Sequence, residues 1–227
     1  DLLRSAAAVS GPVRVMLALE RELRRALRLA EIEELKWAKV RTRTRRLQAA
    51  RTFLELAVMA VAAGALRIEV LLWRPGEQSL GSRCRSESER LRPLYARLWR
   101  DAAMAWPGGR WNIHPDQRTG MRWQEQGTAL TEAFSKGGGG LRALKEASSV
   151  RSACVQLADL LAGLLRVDPG GSPPAGLQAW RQRLALREYF VDACGRRGLR
   201  LKEEAGLLVV RRRRISIRLL RRLPAKA

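Results

Sequence analysis

Acidic residues are scarce in this chain. Only 22 Asp and Glu stand against 44 Lys and Arg in 227 residues, a formal charge of +22. Such a field disfavours cationic partners and makes a polyanion the expected one. Cysteine is also scarce: Cys84, Cys154 and Cys194 are odd in number and widely spaced. That excludes a disulfide framework, offers no zinc spacing, and fits a reducing cytoplasm. The single histidine, His114 beside Pro115, is the only candidate for a histidine base and reads as a surface residue. Long apolar runs are missing too. The most apolar stretch, Phe53 to Leu66, is short and carries Glu55, so no membrane-spanning helix is expected. The first residues show neither a basic start followed by an apolar core nor a cleavage site, so no secretory leader is expected. The glycine run Gly137 to Gly140 follows Lys136 but lacks the Gly-Lys-Ser/Thr exit of a phosphate loop, and reads as a linker.

What is present builds a core. Hydrophobic residues make up 46% of the chain, enough for one substantial domain, alone or with an appendage. Arg supplies far more of the positive charge than Lys. Its planar fork bonds two phosphate oxygens at once, which favours nucleic acid as the partner over a merely solvated basic surface. The densest cluster is Arg211, Arg212, Arg213 and Arg214, with Arg218, Arg221 and Arg222 following. It is either a phosphate-contact surface or a solvated basic tail.

Strands and helices alternate along the chain. Ser5 to Val9 reads as a short strand ending at the turn Ser10-Gly11-Pro12. Val15 to about Ala30 and Thr42 to about Gly64 have helical periodicity. Arg67 to Trp73 is the clearest strand, stopped by Arg74-Pro75-Gly76. Gln78 to Glu87 reads as a loop, and Leu91 to Trp106 as a helix with Pro93 near its first turn. Trp111 to Ile113 is a further strand, running into His114-Pro115-Asp116-Gln117-Arg118. Asp168 to Pro174 breaks the chain. Leu177 to about Gly195 is helical, and Gly206 to Val210 with Ile215 to Ile217 suggest a basic hairpin. The mixture predicts an α/β layer fold.

Ser152 to Arg166 organises the rest. It is dense in Leu and Ala, has no proline, and is apolar nearly all round, which marks a buried helix. Ser152, Gln156, Asp159 and Gly163 fall at i, i+4, i+7 and i+11, on one narrow stripe. A carboxylate on such a helix needs a partner. Asp159 is therefore either paired with a neighbour or a metal-ligating or acid/base group. Gly163 leaves room on that stripe for something to approach closely.

Three segments carry a resemblance. Glu34-Leu35-Lys36-Trp37, Pro115-Asp116-Gln117-Arg118 and Ser149 to Arg166, with its core Gln156-Leu157-Ala158-Asp159-Leu160, occur in an order and with a content that resemble the family called domain of unknown function 3800. The likeness covers roughly residues 5 to 166. It implies an RNase H-like mixed central sheet flanked by helices over residues 1–167; the chain's own pattern adds a basic helix-and-hairpin appendage over 175–227. It also implies a divalent-metal site, for Mg²⁺ or Mn²⁺, formed by Glu34, Asp116 and Asp159. Glu34 and Asp159 would be ligands on helices and Asp116 a ligand at a strand end. Clustered carboxylates repel unless a cation lies between them, and such ions can activate water on a phosphodiester. Lys36, Arg118 and Arg211 to Arg214 are the candidate nucleic-acid contacts. Trp37 reads as a core residue and Cys154 as part of the apolar arc.

One element of the family pattern is missing. Its first strand bears Asp-Glu-Ser-Gly, whereas here Asp1 is followed by Leu2-Leu3-Arg4 and no acid precedes Ser10-Gly11. Either the chain lacks its true start or this member has lost the strand. The carboxylate set is therefore incomplete. Two functions follow as expectations: a metal-dependent nuclease-like protein that hydrolyses phosphodiesters in nucleic acid, or a catalytically inactive RNase H-like module that binds nucleic acid or a partner protein in a larger system.

Overall fold

The computed structural model describes residues 3–40, 44–73, 87–117, 123, 127–135, 139–167, 177–199, 201–204, 207–211 and 215–219. Strand β1 (Arg4–Ser10) turns through Gly11-Pro12 into helix α1 (Val13–Leu29). A 3-10 turn, Trp37–Lys39, precedes helix α2 (Thr44–Ala62), which leads into β2 (Arg67–Trp73). Then follow α3 (Glu87–Ala105), β3 (Arg110–Ile113), α4 (Gly127–Ser135), β4 (Gly140–Leu144) and α5 (Ala153–Leu165). Helix α6 (Leu177–Arg196) and strands β5 (Lys202–Glu204), β6 (Leu207–Arg211) and β7 (Ile215–Leu219) complete the chain.

The main sheet is mixed, in the order β1-β2-β7-β6-β5. Strands β1 and β2 run antiparallel with Ala7 opposite Val70, and β2 and β7 run parallel with Val70 opposite Ile217. Strand β2 is apolar at nearly every position because both its faces are covered. Ile68, Val70 and Leu72 join the large core formed with α1, α2, α5 and α6. Leu71 and Trp73 face the other way, onto Leu94 and Leu98 of α3. Glu69 is buried and paired with Arg67.

A second, two-stranded parallel sheet joins β3 and β4. Its core gathers Trp99, Ala103, Ile113, Trp123, Leu130 and Phe134. The pairing continues past the strands: Asp116 bridges Ala147, the Gln117 N–H donates to the Ala147 carbonyl (3.0 Å), and the Ala147 N–H donates to the Pro115 carbonyl (2.8 Å).

The sequence-based expectations need four corrections here. Pro93 lies inside α3 rather than in its first turn, because the helix begins at Glu87. Helix α4 and strand β4 leave no signal in the sequence, since short elements among glycines give little periodicity. Gly139 and Gly140 are not a loose joint: Gly140 opens β4, and a Cβ on Gly139 would run into the Gly109 carbonyl. Finally, the C-terminal hairpin of β6 and β7 is not set apart from the sheet. Strand β7 pairs with β2, and Leu186 and Phe190 of α6 lie in the main core. The parallel edge of an apolar strand such as β2 needs covering, which local pattern cannot reveal.

Candidate functional site

The site is built where the segment Glu34 to Val40 lies along α5. This segment is not helical at Glu34: only Trp37–Lys39 form a 3-10 turn, and Lys36 is extended (φ −107°, ψ 136°). Glu34 is therefore not on a helix, contrary to expectation. An extended segment cannot satisfy its own N–H groups, so it must find acceptors elsewhere. The stripe on α5 supplies them. The Leu35 N–H donates to Gln156 Oε1 (2.8 Å), and the Trp37 N–H donates to Asp159 Oδ2 (3.0 Å). Gln156, only 1% exposed, uses its amide Nε2 to donate to the Ser149 carbonyl (2.6 Å). The buried indole of Trp37 fills the space over Gly163, where a Cβ would overlap the ring. The Arg183 guanidinium of α6 lies 5.0 Å from the centroid of that ring, a cation–π geometry.

Glu34 stands at the rim of this clamp. Its Oε1 accepts from the Ser149 hydroxyl (2.7 Å) and pairs with Lys36 Nζ (3.1 Å), and its Oε2 pairs with Lys39 Nζ (3.5 Å). Burial pushes the carboxyl up, but the Ser149 hydroxyl, Lys36 and Lys39 outweigh it and hold the group below the usual carboxylate range.

A second carboxylate secures the N-terminus of α5. Ser152 is the N-cap, and its hydroxyl accepts from the Val155 N–H (3.4 Å). Glu20 of α1 reaches the same terminus. It accepts from the Ala153 N–H (2.9 Å) and the Cys154 N–H (2.8 Å), and pairs with Arg24 (2.8 Å). Burial raises its pKa, yet the two backbone N–H groups and Arg24 win and lower it overall. Beside it, burial and the Glu20 charge push the Cys154 thiol up, so Cys154 is not a thiolate nucleophile at neutral pH.

The sequence candidates thus fall into groups. Glu34, Lys36 and Asp159 are brought together on one clamp. Asp116 sits just beyond β3, as expected, and is tied through its backbone to Ala147, two residues before Ser149. Its carbonyl accepts from Trp123 Nε1 (3.2 Å). Lys36 has a half-buried side chain that pairs with Glu34. His114 is exposed. Arg118 and Arg212 to Arg214 lie outside the described residues, as do Cys84 and the breaks over Gln78 to Ser86 and Asp168 to Pro174. Arg211 ends β6. Glu20, Lys39 and Arg183 also take part in the site. Each reaches its partner from another part of the fold or from an unremarkable surface position, which no local spacing signals.

The fit to a divalent ion is poor among the described residues. No group of three or more His, Cys, Asp or Glu side chains is placed to hold a metal there. Glu34 already has two ammonium partners and a hydroxyl donor, and one Asp159 oxygen serves a backbone N–H. The arrangement as it stands does the chemistry of a clamp: anionic and amide acceptors hold an extended segment against a buried helix. Among the described residues no helix is long and apolar enough to cross a membrane. Compared with family models, curated proteins and solved structures, the chain matches none.

Proposed function

We propose that this chain is a nucleic-acid-binding module resembling the domain of unknown function 3800, with an RNase H-like architecture. The observation that carries it is the charge of +22, dominated by arginine, on a chain whose motif acid Glu34 is itself flanked by two lysine ammonium groups. Phosphates are the anions that such a surface matches, and arginine forks bond them in pairs. In this reading Glu34, Gln156 and Asp159 keep the Glu-Leu-Lys-Trp segment in place, with Lys36 at its rim. Arg118 and Arg211 to Arg214 remain its candidate phosphate contacts.

A second reading, the metal-dependent nuclease, is favoured by a separate observation. Two of the stretches that carry the resemblance are more than a hundred residues apart, yet Glu34 to Trp37 and Ser149 to Gly163 bond to each other through their motif side chains. This mutual dependence supports the resemblance. In that reading Glu34, Asp116 and Asp159 would hold Mg²⁺ or Mn²⁺, with carboxylates beyond those gathered here completing the set, and the ion would supply activation of water toward a phosphodiester.

One experiment separates the two. Labelled single-stranded, double-stranded and hybrid oligonucleotides are titrated with the chain over about 50–200 mM salt, then incubated with Mg²⁺ or Mn²⁺. Binding that weakens steeply with salt, without cleavage, is expected for the module. Cleavage that vanishes in Asp159→Asn establishes the nuclease instead; Asn still accepts from the Trp37 N–H, so the clamp survives. No binding by the folded chain overturns both.

A further inference from the structure

We propose that the outward face of α1 is a docking surface for a nucleic-acid backbone; this rests on the nucleic-acid reading above and gives it a location. Arg14, Arg21, Arg25 and Arg28 occur at i, i+7, i+11 and i+14, which places them within an arc of about 60° on one face of the helix. All four are exposed. Along the axis they span about 21 Å, with gaps of about 10, 6 and 4.5 Å. That length matches about six base-pair steps of duplex. Among the described residues Arg14, Arg21 and Arg28 have no ion-pair partner, and Arg25 meets Glu22 only at 3.9 Å, with both side chains largely in water.

The stripe is held rigidly. The opposite face of α1, with Leu19, Leu23, Ala26 and Leu27, is buried in the main core. Arg24, at the flank of the stripe, donates to the Arg151 carbonyl, and Glu20 caps α5. Cations on a fixed helix lose less freedom on binding than cations on a loose tail. The surface is therefore tied directly to the helix that carries Asp159.

Charge complementarity selects the occupant. An anionic bilayer would hold the stripe only through its surface charge, since the apolar face of α1 that insertion needs is already used by the core. Three exposed apolar side chains lie on α1, Val13 (60%), Leu17 (61%) and Leu29 (78%); Leu17 and Leu29 flank the arginines on opposite sides, about 18 Å apart along the axis, and form no continuous apolar face. A regularly charged phosphate backbone requires only the stripe.

The test compares the wild-type chain with a fourfold variant, Arg14→Gln, Arg21→Gln, Arg25→Gln and Arg28→Gln. Glutamine keeps helix propensity while removing the charge. The control removes the same charge elsewhere, from the exposed Arg100, Arg110, Arg142 and Arg181. Binding of a labelled duplex and of a single strand is measured against salt, with circular dichroism as the check on folding. Loss of four phosphate contacts makes the log–log salt slope shallower by about 3–4 for duplex. Between about 50 and 200 mM salt the wild type then loses about 100-fold more affinity than the variant. A double variant, Arg21→Gln with Arg25→Gln, gives about half the slope change and serves if the fourfold variant fails to fold. The control keeps the wild-type slope. Equal effects of the two fourfold variants overturn the inference while leaving nucleic-acid binding intact, since only the overall field would then matter. Equal displacement of the oligonucleotide by poly-glutamate of matched charge also overturns it. Absence of binding by the folded wild type overturns both this surface and the function on which it rests.

Discussion

The Trp37 indole occupies the space that a side chain on Gly163 would need, so that the 3-10 turn Trp37–Lys39 and the C-terminal part of α5 fit only because position 163 has no Cβ. The neighbour is a buried ring held under Arg183, and it has little room to yield. Gly163→Ala is expected to destabilise the fold by about 1–3 kcal/mol through overpacking. A thermal melt will register this as a fall of several degrees. Gly195→Ala is the control, because nothing lies within 4 Å of the added methyl near the end of α6. That change should be neutral or stabilising by up to about 1 kcal/mol. Equal effects at both positions would contradict the close approach.

Asp159 tests the difference between charge and hydrogen bonding. Its Oδ2 accepts the Trp37 N–H at 3.0 Å. Asp159→Ala leaves that donor without its acceptor and should cost about 1–3 kcal/mol in urea unfolding. Asp159→Asn retains an acceptor and should stay within about 1 kcal/mol of the parent. Equal destabilisation by Asn and Ala would show that the negative charge, not the acceptor, secures the segment.

Gln156 carries two bonds at once, to the Leu35 N–H and to the Ser149 carbonyl. Gln156→Leu keeps the volume but orphans a buried donor and a buried acceptor. A loss of about 2–6 kcal/mol is expected, the sum of two such penalties. Because Ser149 also holds Glu34, the mutation should be strongly non-additive with Ser149→Ala in a double-mutant cycle.

Acid should weaken the fold through Glu20 and Glu34. Both have pKa values lowered in the folded state. The folded protein therefore binds their protons less readily than the unfolded chain does. Their stabilisation is complete above the ordinary carboxylate pKa of 4.5 and is lost as pH falls through the lowered folded values. Glu20→Gln should cost about 0.5–2 kcal/mol at neutral pH, by removing the anion from the start of α5. Its stability should also fall less steeply below about pH 5. An unchanged acid limb in denaturation profiles from about pH 3 to 7 would count against the cap.

The readability of the site differs from residue to residue. The stripe Ser152, Gln156, Asp159 and Gly163 was visible as spacing alone, and each member has a place in the structure: cap, double bond partner, acceptor and gap. The burial of Trp37 agrees with its reading as core. Glu34 was visible as an unusual acid, but its extended backbone was not, because a few residues between helices have no period to read.

By itself the sequence determined the mixed α/β character, the length of β2, the buried nature of α5 and the large positive charge. Those follow from local periodicity and composition, which depend on neighbours along the chain. Only the tertiary structure decided what faces the α5 stripe, that Glu20 of α1 caps α5, that Arg183 covers Trp37, and that β7 lies beside β2. Each of these joins groups far apart in sequence. Their energy comes from satisfying buried donors and covering apolar surface, and many pairings meet those needs equally well on paper. The packed chain selects one of them through shape, as the ring of Trp37 over the bare α-carbon of Gly163 makes plain.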